Sequence, residues 1–207
     1  PPGGPPPQTQ LTADRAVFTE AYALIPKGVM RDIVTSNLPF WEGTRLWVLA
    51  RPLTGFAETF AQYAIELALN GGSDTPEPDA QAQAVLFVAA GTARLTLDGD
   101  AHDLVAGSYA YIPPATPWTL WNTGDTPCGL HWVRKRYVPA QGIDAPDAFV
   151  THDKEVAPIA MPDTDGAWAT QRFADPSDLR HDMHVNIVTF QPGGRIPFAE
   201  THVMEHG

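Results

Sequence analysis

The chain has 207 residues, with 13 Lys and Arg against 24 Asp and Glu, a net charge of −11 and a pI near 4.9. That acidity argues against a protein that tracks nucleic-acid phosphates, and no apolar run approaches the roughly 20 residues of a membrane helix. The lone cysteine, Cys128, excludes an internal disulfide and suits a reducing cytoplasm, the expected location.

The 21 prolines and 17 glycines suit an all-β protein rich in turns. Residues 1–10 read PPGGPPPQTQ and cannot bury apolar surface, so residues 1–15 are expected to be a flexible tail. Short β-prone runs then follow at 31–35, 45–50, 57–69, 85–89, 92–97, 109–112, 119–122 and 130–138. Asn70-Gly71-Gly72, Asp98-Gly99-Asp100, Pro113-Pro114 and Asn122-Thr123-Gly124-Asp125 separate them. Strands at this spacing predict a sandwich or barrel. The run 56–70 also carries helix-forming Ala, Glu and Leu, but a long strand fits its neighbours better. Arg134-Lys135-Arg136 reads as an exposed strand end. Residues 139–165, with scattered prolines and acids, read as a linker, and strands resume at 168–173 and 183–190.

Two segments look alike. Leu69-Asn70-Gly71-Gly72 and Gln191-Pro192-Gly193-Gly194 each read as the turn closing a long strand, which predicts two copies of one β-module. The second continues to Glu200, His202 and His206. Glu200 and His202 share one face of a strand, and His206 has the same parity. One carboxylate and two imidazoles suit Mn, Fe or Zn. His202-x-x-Glu205-His206 also fits the inverted metalloprotease pattern, but that motif needs a helix, and Pro197 with β-branched Thr201 and Val203 argues against one. His184, one strand earlier, is a candidate for lining the pocket.

The spacing Gly194, Glu200, His202, His206 resembles the first cupin motif, G-x5-H-x-H-x3-E-x6-G, with Glu and His exchanged at two ligand positions. In the first module the same frame falls on Gly72, Pro78, Ala80, Ala84 and Gly91, where every ligand position is apolar. The second cupin motif falls on Gly107, Pro113, Ala115, Trp118 and Asn122, with Trp118 in place of histidine. The resemblance therefore implies two tandem cupin (double-stranded β-helix, jelly-roll) barrels. Residues 16–138 would form an N-terminal cupin without metal ligands, and 166–207 the start of a metal-binding one, incomplete in this chain.

A metal-free first cupin followed by Glu200-Thr201-His202-Val203-Met204-Glu205-His206-Gly207 resembles the (S)-ureidoglycine aminohydrolases. That resemblance implies hydrolytic loss of ammonia from (S)-ureidoglycine, giving (S)-ureidoglycolate, in allantoin breakdown. It implies Mn2+ (alternatives Fe2+ and Zn2+) on Glu200, His202 and His206, with a fourth ligand beyond Gly207 and Glu200 also touching substrate. It further implies a homo-oligomer acting on a small molecule, with neither nucleic acid nor membrane as partner. Two other readings stay open: a non-haem iron cupin dioxygenase or isomerase, and a non-catalytic ligand-binding bicupin.

Overall fold

The computed structural model describes residues 16–19, 22–26, 38–52 and 59–198. Within them the chain is all-β, with fourteen strands and a single 3-10 turn, Asp153–Glu155. A small ribbon comes first, β1 (Val17–Phe18) paired with β2 (Ala23–Leu24). The main sheet holds β3 (Glu42–Ala50), β4 (Phe60–Ser73), β5 (Ala82–Ala90), β6 (Thr92–Leu97), β7 (Asp100–Val105), β8 (Ser108–Ile112), β9 (Trp118–Trp121), β10 (Cys128–Arg136) and β11 (Phe149–His152). A second sheet holds β12 (Ile159–Ala160), β13 (Trp168–Arg172) and β14 (Asn186–Phe190) in that order.

The main sheet runs β11-β8-β5-β10-β4-β9-β6-β7, with β3 also paired to β4. Strand β4 is shared. Its first half lies between β10 and β3, and its last two residues pair with Trp121 and Leu120 of β9. This curls the sheet into a nearly closed barrel. Alternation sets what faces inward: in β6, Ala93, Leu95 and Leu97 are buried while Thr92, Arg94 and Thr96 are not. Leu67, Leu95 and Leu120 are fully enclosed in the interior cluster, beside Trp118 and Trp132. At the β6–β7 hairpin, Asp98 and Gly99 both take positive φ, as the tight primed turn requires.

The glycine pair Gly71-Gly72 does not close a strand, as its likeness to Gly193-Gly194 suggests. Strand β4 passes through it to Ser73. A Cβ on Gly71 would lie 2.5 Å from Gly43 O, and one on Gly72 2.1 Å from Leu120 O. The pair is there because backbones of β3 and β9 approach β4 too closely for side chains.

The stretch 139–165 is also more than a linker. Its run Phe149–His152 supplies β11, which extends the main sheet alongside β8, and Ile159–Ala160 pairs with β13. Strand β14 begins at Asn186, shorter than the expected 183–190, because Met183 and Val185 pack onto the outer wall of the barrel. The basic run is committed to internal acids. Arg134 makes a two-pronged ion pair with Glu77 at 2.6 and 2.7 Å, Lys135 pairs with Asp182, and Arg136 lies 3.5 Å from Asp79. The expected tail, 1–15, and the expected strand at 31–35 lie outside the described residues.

That outer wall is unusual for a barrel exterior. All five residues of β8 are buried, so Tyr109 and Tyr111, which point away from the interior, are as enclosed as Ala110 and Ile112. Tyr109 stacks on Phe173 with ring centroids 4.1 Å apart, and both tyrosines stack on Phe149 at 5.8 Å. The cover comes from β11 and from the segment joining β13 to β14.

Candidate functional site

In the barrel the four positions at which cupins place metal ligands offer no donor atom. Pro78 and Ala80 are exposed, Ala84 is in the core, and Trp118 lies edge-on to Trp41 at 6.5 Å and to Trp132 at 6.0 Å. Asn122, the last residue of the second motif frame, has a structural task. Its Nδ2 donates to the carbonyls of Leu67, Ala68 and Thr126 at 2.9–3.1 Å, and its Oδ1 accepts from Gly124 N at 2.8 Å. This ties the end of β9 to the bend of β4. Cys128 is fully buried, and burial pushes its thiol up to about 11, so it is inert. Among the described residues no group of three or more His, Cys, Asp or Glu is arranged around a common point.

The second sheet leads to the sequence-predicted ligands. Strand β14 pairs with β13 from Trp168↔Phe190 to Arg172↔Asn186 and ends in a turn. There Gly193 has φ +78°, Gly194 N donates to Gln191 O at 2.7 Å, and Gln191 N donates to Ala167 O at 2.9 Å. A Cβ on Gly194 would lie 2.4 Å from Ala167 O. The first glycine of the motif frame is thus fixed by close backbone packing. Glu200, His202 and His206 follow this turn and lie outside the described residues.

His184 is exposed, its ring 6.0 Å from that of His181. His181 is the more constrained of the two. Its side chain is only 6% exposed, lies edge-on to Tyr111 at 4.8 Å, and has no hydrogen-bond partner at Nδ1 among the described residues. Burial holds its pKa below the ordinary imidazole value, keeping it neutral.

Beside it lies a polar cluster that sequence reasoning misses. Asp182 Oδ2 accepts from Lys135 Nζ at 2.5 Å and from Val138 N at 2.8 Å, and its Oδ1 accepts from Gln83 Nε2. Tyr111 Oη donates to Gln83 Oε1 at 3.0 Å. Gln83 is fully buried and lies directly across from Lys135 on the outer wall. One signal was available: a glutamine inside the apolar run Ala82-Gln83-Ala84-Val85, at a position whose parity faces outward.

Residues 65–134 match the Cupin domain family. The whole fold aligns with the crystal structure of a glyoxylate-induced protein from Pseudomonas aeruginosa at 60% identity and a TM-score of 0.85, covering 98% of this chain and 74% of that one. It is 29% identical to the (S)-ureidoglycine aminohydrolase of Escherichia coli strain K12, over 95% of this chain and 73% of that protein. The chain belongs to the same family as that glyoxylate-induced protein. A second similar structure, protein Ylba from E. coli, aligns at 28% identity and a TM-score of 0.78, over 96% of this chain and 76% of that one. The chain spans about three fifths, 59% and 61%, of two plant members of the aminohydrolase family. Among the described residues no helix is long and apolar enough to cross a membrane.

Proposed function

We propose that the protein hydrolyses (S)-ureidoglycine to (S)-ureidoglycolate and ammonia in the breakdown of allantoin, using Mn2+ held by Glu200, His202 and His206. The likeness to named aminohydrolases across nearly the whole chain carries this reading, together with the Glu200–His202–His206 spacing after the Gly194 turn. The donor set fits the metal: one carboxylate, two imidazoles and no thiolate suit a divalent first-row ion of intermediate hardness.

In the reaction the α-carbon of the substrate exchanges an amine for a hydroxyl. A C–O bond forms, a C–N bond breaks, and a proton must reach the leaving nitrogen. A bound Mn2+ supplies Lewis acidity toward carboxylate and water oxygens. Beyond its share in holding the ion, Glu200 moves that proton, taking it on a carboxylate oxygen from the attacking water and delivering it to the amine. His202 and His206 would each hold the ion through a ring nitrogen. A homo-oligomeric assembly and a cytoplasmic location belong to the same reading.

The test uses the full-length natural protein, metal analysis and ammonia release from freshly prepared (S)-ureidoglycine. One bound manganese per chain with metal-dependent ammonia release is expected, and His202→Ala should remove both. Bound iron with oxygen consumption and no ammonia would overturn the proposal.

A further inference from the structure

We infer that Asp182 is a positioning residue, a latch by which the first barrel holds the strand that leads into the Glu200–His206 segment. The functional part of this inference rests on the proposed metal site; the latch itself rests on geometry alone.

Segment 173–185 crosses the outer wall of the barrel between β13 and β14. Most of its contact with that wall is apolar: Phe173 on Tyr109, with Met183 and Val185 packed against the same cluster. Apolar burial is non-directional, so it fixes the segment's height on the wall less sharply than hydrogen bonds do. Asp182 removes that freedom. It accepts from three donors of the barrel, the Lys135 ammonium, the Gln83 amide and the backbone N–H of Val138. Gln83 is itself held in one orientation, since the Tyr111 hydroxyl donates to its carbonyl oxygen and leaves its NH2 aimed at Asp182. Lys135 and Gln83 are cross-strand neighbours on β10 and β5, so the receiving pair is as rigid as the sheet. Tyr137 Oη adds a bond to Arg180 O at 3.0 Å just before the latch.

A buried ion pair adds little net stability over a well-packed apolar contact, because desolvating its charges is costly. What such a network supplies is a unique arrangement. Four residues after Asp182 the chain enters β14, which is zipped to β13 and ends in the fixed Gly194 turn. Fixing Asp182 therefore fixes the register from which the ligand segment departs.

Two variants test the latch, Asp182→Asn and Lys135→Met, with Lys135→Arg as the conservative control. Hydrogen exchange at the amides of residues 187–190 should accelerate about 10-fold in the first two and stay near wild type in the control. Titration with Mn2+ alone should show about 10-fold weaker binding, with kcat for (S)-ureidoglycine falling more than KM rises. Unchanged exchange at residues 187–190 would overturn the latch, whatever the activity. Faster exchange with wild-type Mn2+ affinity and kcat would make Asp182 a merely structural contact and overturn its positioning role. A wild-type protein that binds Mn2+ yet releases no ammonia would sink the proposed reaction while leaving the exchange and metal arms of this test intact.

Discussion

Trp118 stands at the cupin ligand position of the first barrel, and replacing it should cost stability without touching the chemistry. The indole is 6% exposed and meets Trp41 and Trp132 edge-on, with centroids at 6.5 and 6.0 Å. Truncating a buried Trp to Ala costs about 3–5 kcal/mol, and each edge-on aromatic pairing accounts for about 0.5–1.5 kcal/mol. With both ring pairings removed and little chance for the β-sheet to collapse inward, Trp118→Ala should destabilise the fold by about 4 kcal/mol. That is a large part of the about 5–15 kcal/mol that holds a domain folded. Trp118→Phe keeps an aromatic ring in the cluster and should cost about 1–2 kcal/mol. Urea unfolding followed by far-UV circular dichroism reads both effects as shifts in midpoint at constant slope. Manganese content and kcat/KM of Trp118→Phe should match wild type. If Trp118→Phe instead loses metal or substrate turnover while its midpoint is unmoved, the barrel interior is a working site, and the view of it as filled scaffold is refuted.

Two other predictions follow from local conformation and burial. Ala115 takes φ 62° at the position where the cupin motif has glycine, a left-handed conformation that strains an L-residue; Ala115→Gly should raise stability by about 1 kcal/mol, read as a higher urea midpoint. His181 is buried with its pKa lowered by desolvation, facing Asp178, Arg180, Asp182, His184 and Tyr111. The unfolded chain therefore takes up its proton first as pH falls below about 6.5, so docking of segment 173–185 weakens from there down through the lowered folded value. His181→Phe should flatten the pH dependence of hydrogen exchange at residues 187–190 between about pH 7 and 5; an unchanged slope would show that another group governs it.

Much of the barrel could be read from residue order, because its strands are amphipathic in period two and its turns use Gly, Asn and Asp. The run 92–97 is a strand at those very bounds, and Asp98-Gly99 is the hairpin turn expected of it. The misreadings have a common cause. Gly71-Gly72 looks like a turn because glycine marks both turns and close backbone approach, and only the positions of β3 and β9 separate the two. Phe149–His152 hides in a proline-rich, acidic stretch because it needs a pre-built aromatic wall to pair beside. For the candidate site, the spacing of Glu200, His202 and His206 after Gly194 is a local sequence pattern, and those three residues lie outside the described ones. The latch is not a local pattern, since Gln83, Tyr111, Lys135 and Asp182 are scattered over a hundred residues and meet only when the segment folds over the barrel.

The outer wall explains why a barrel without metal ligands keeps so demanding a sequence. In a free-standing barrel, β5 and β8 would alternate apolar and polar residues, since one face meets water. Here β8 is buried throughout, and β5 is buried on both faces from Ala82 to Leu86. Val85, Tyr109 and Tyr111 are a second core, shared with Phe149, Phe173, Met183 and Val185. Within that apolar contact the Gln83–Asp182–Lys135 network is the directional element. The barrel interior needs only volume, so exchanges among Leu, Ile and Met should be tolerated there at below about 1.5 kcal/mol each. The outer wall needs volume and direction together. Substitutions at Gln83 or Tyr111 should therefore perturb β13 and β14 out of proportion to their effect on the barrel that carries them, which is the behaviour of a surface built to orient its neighbour.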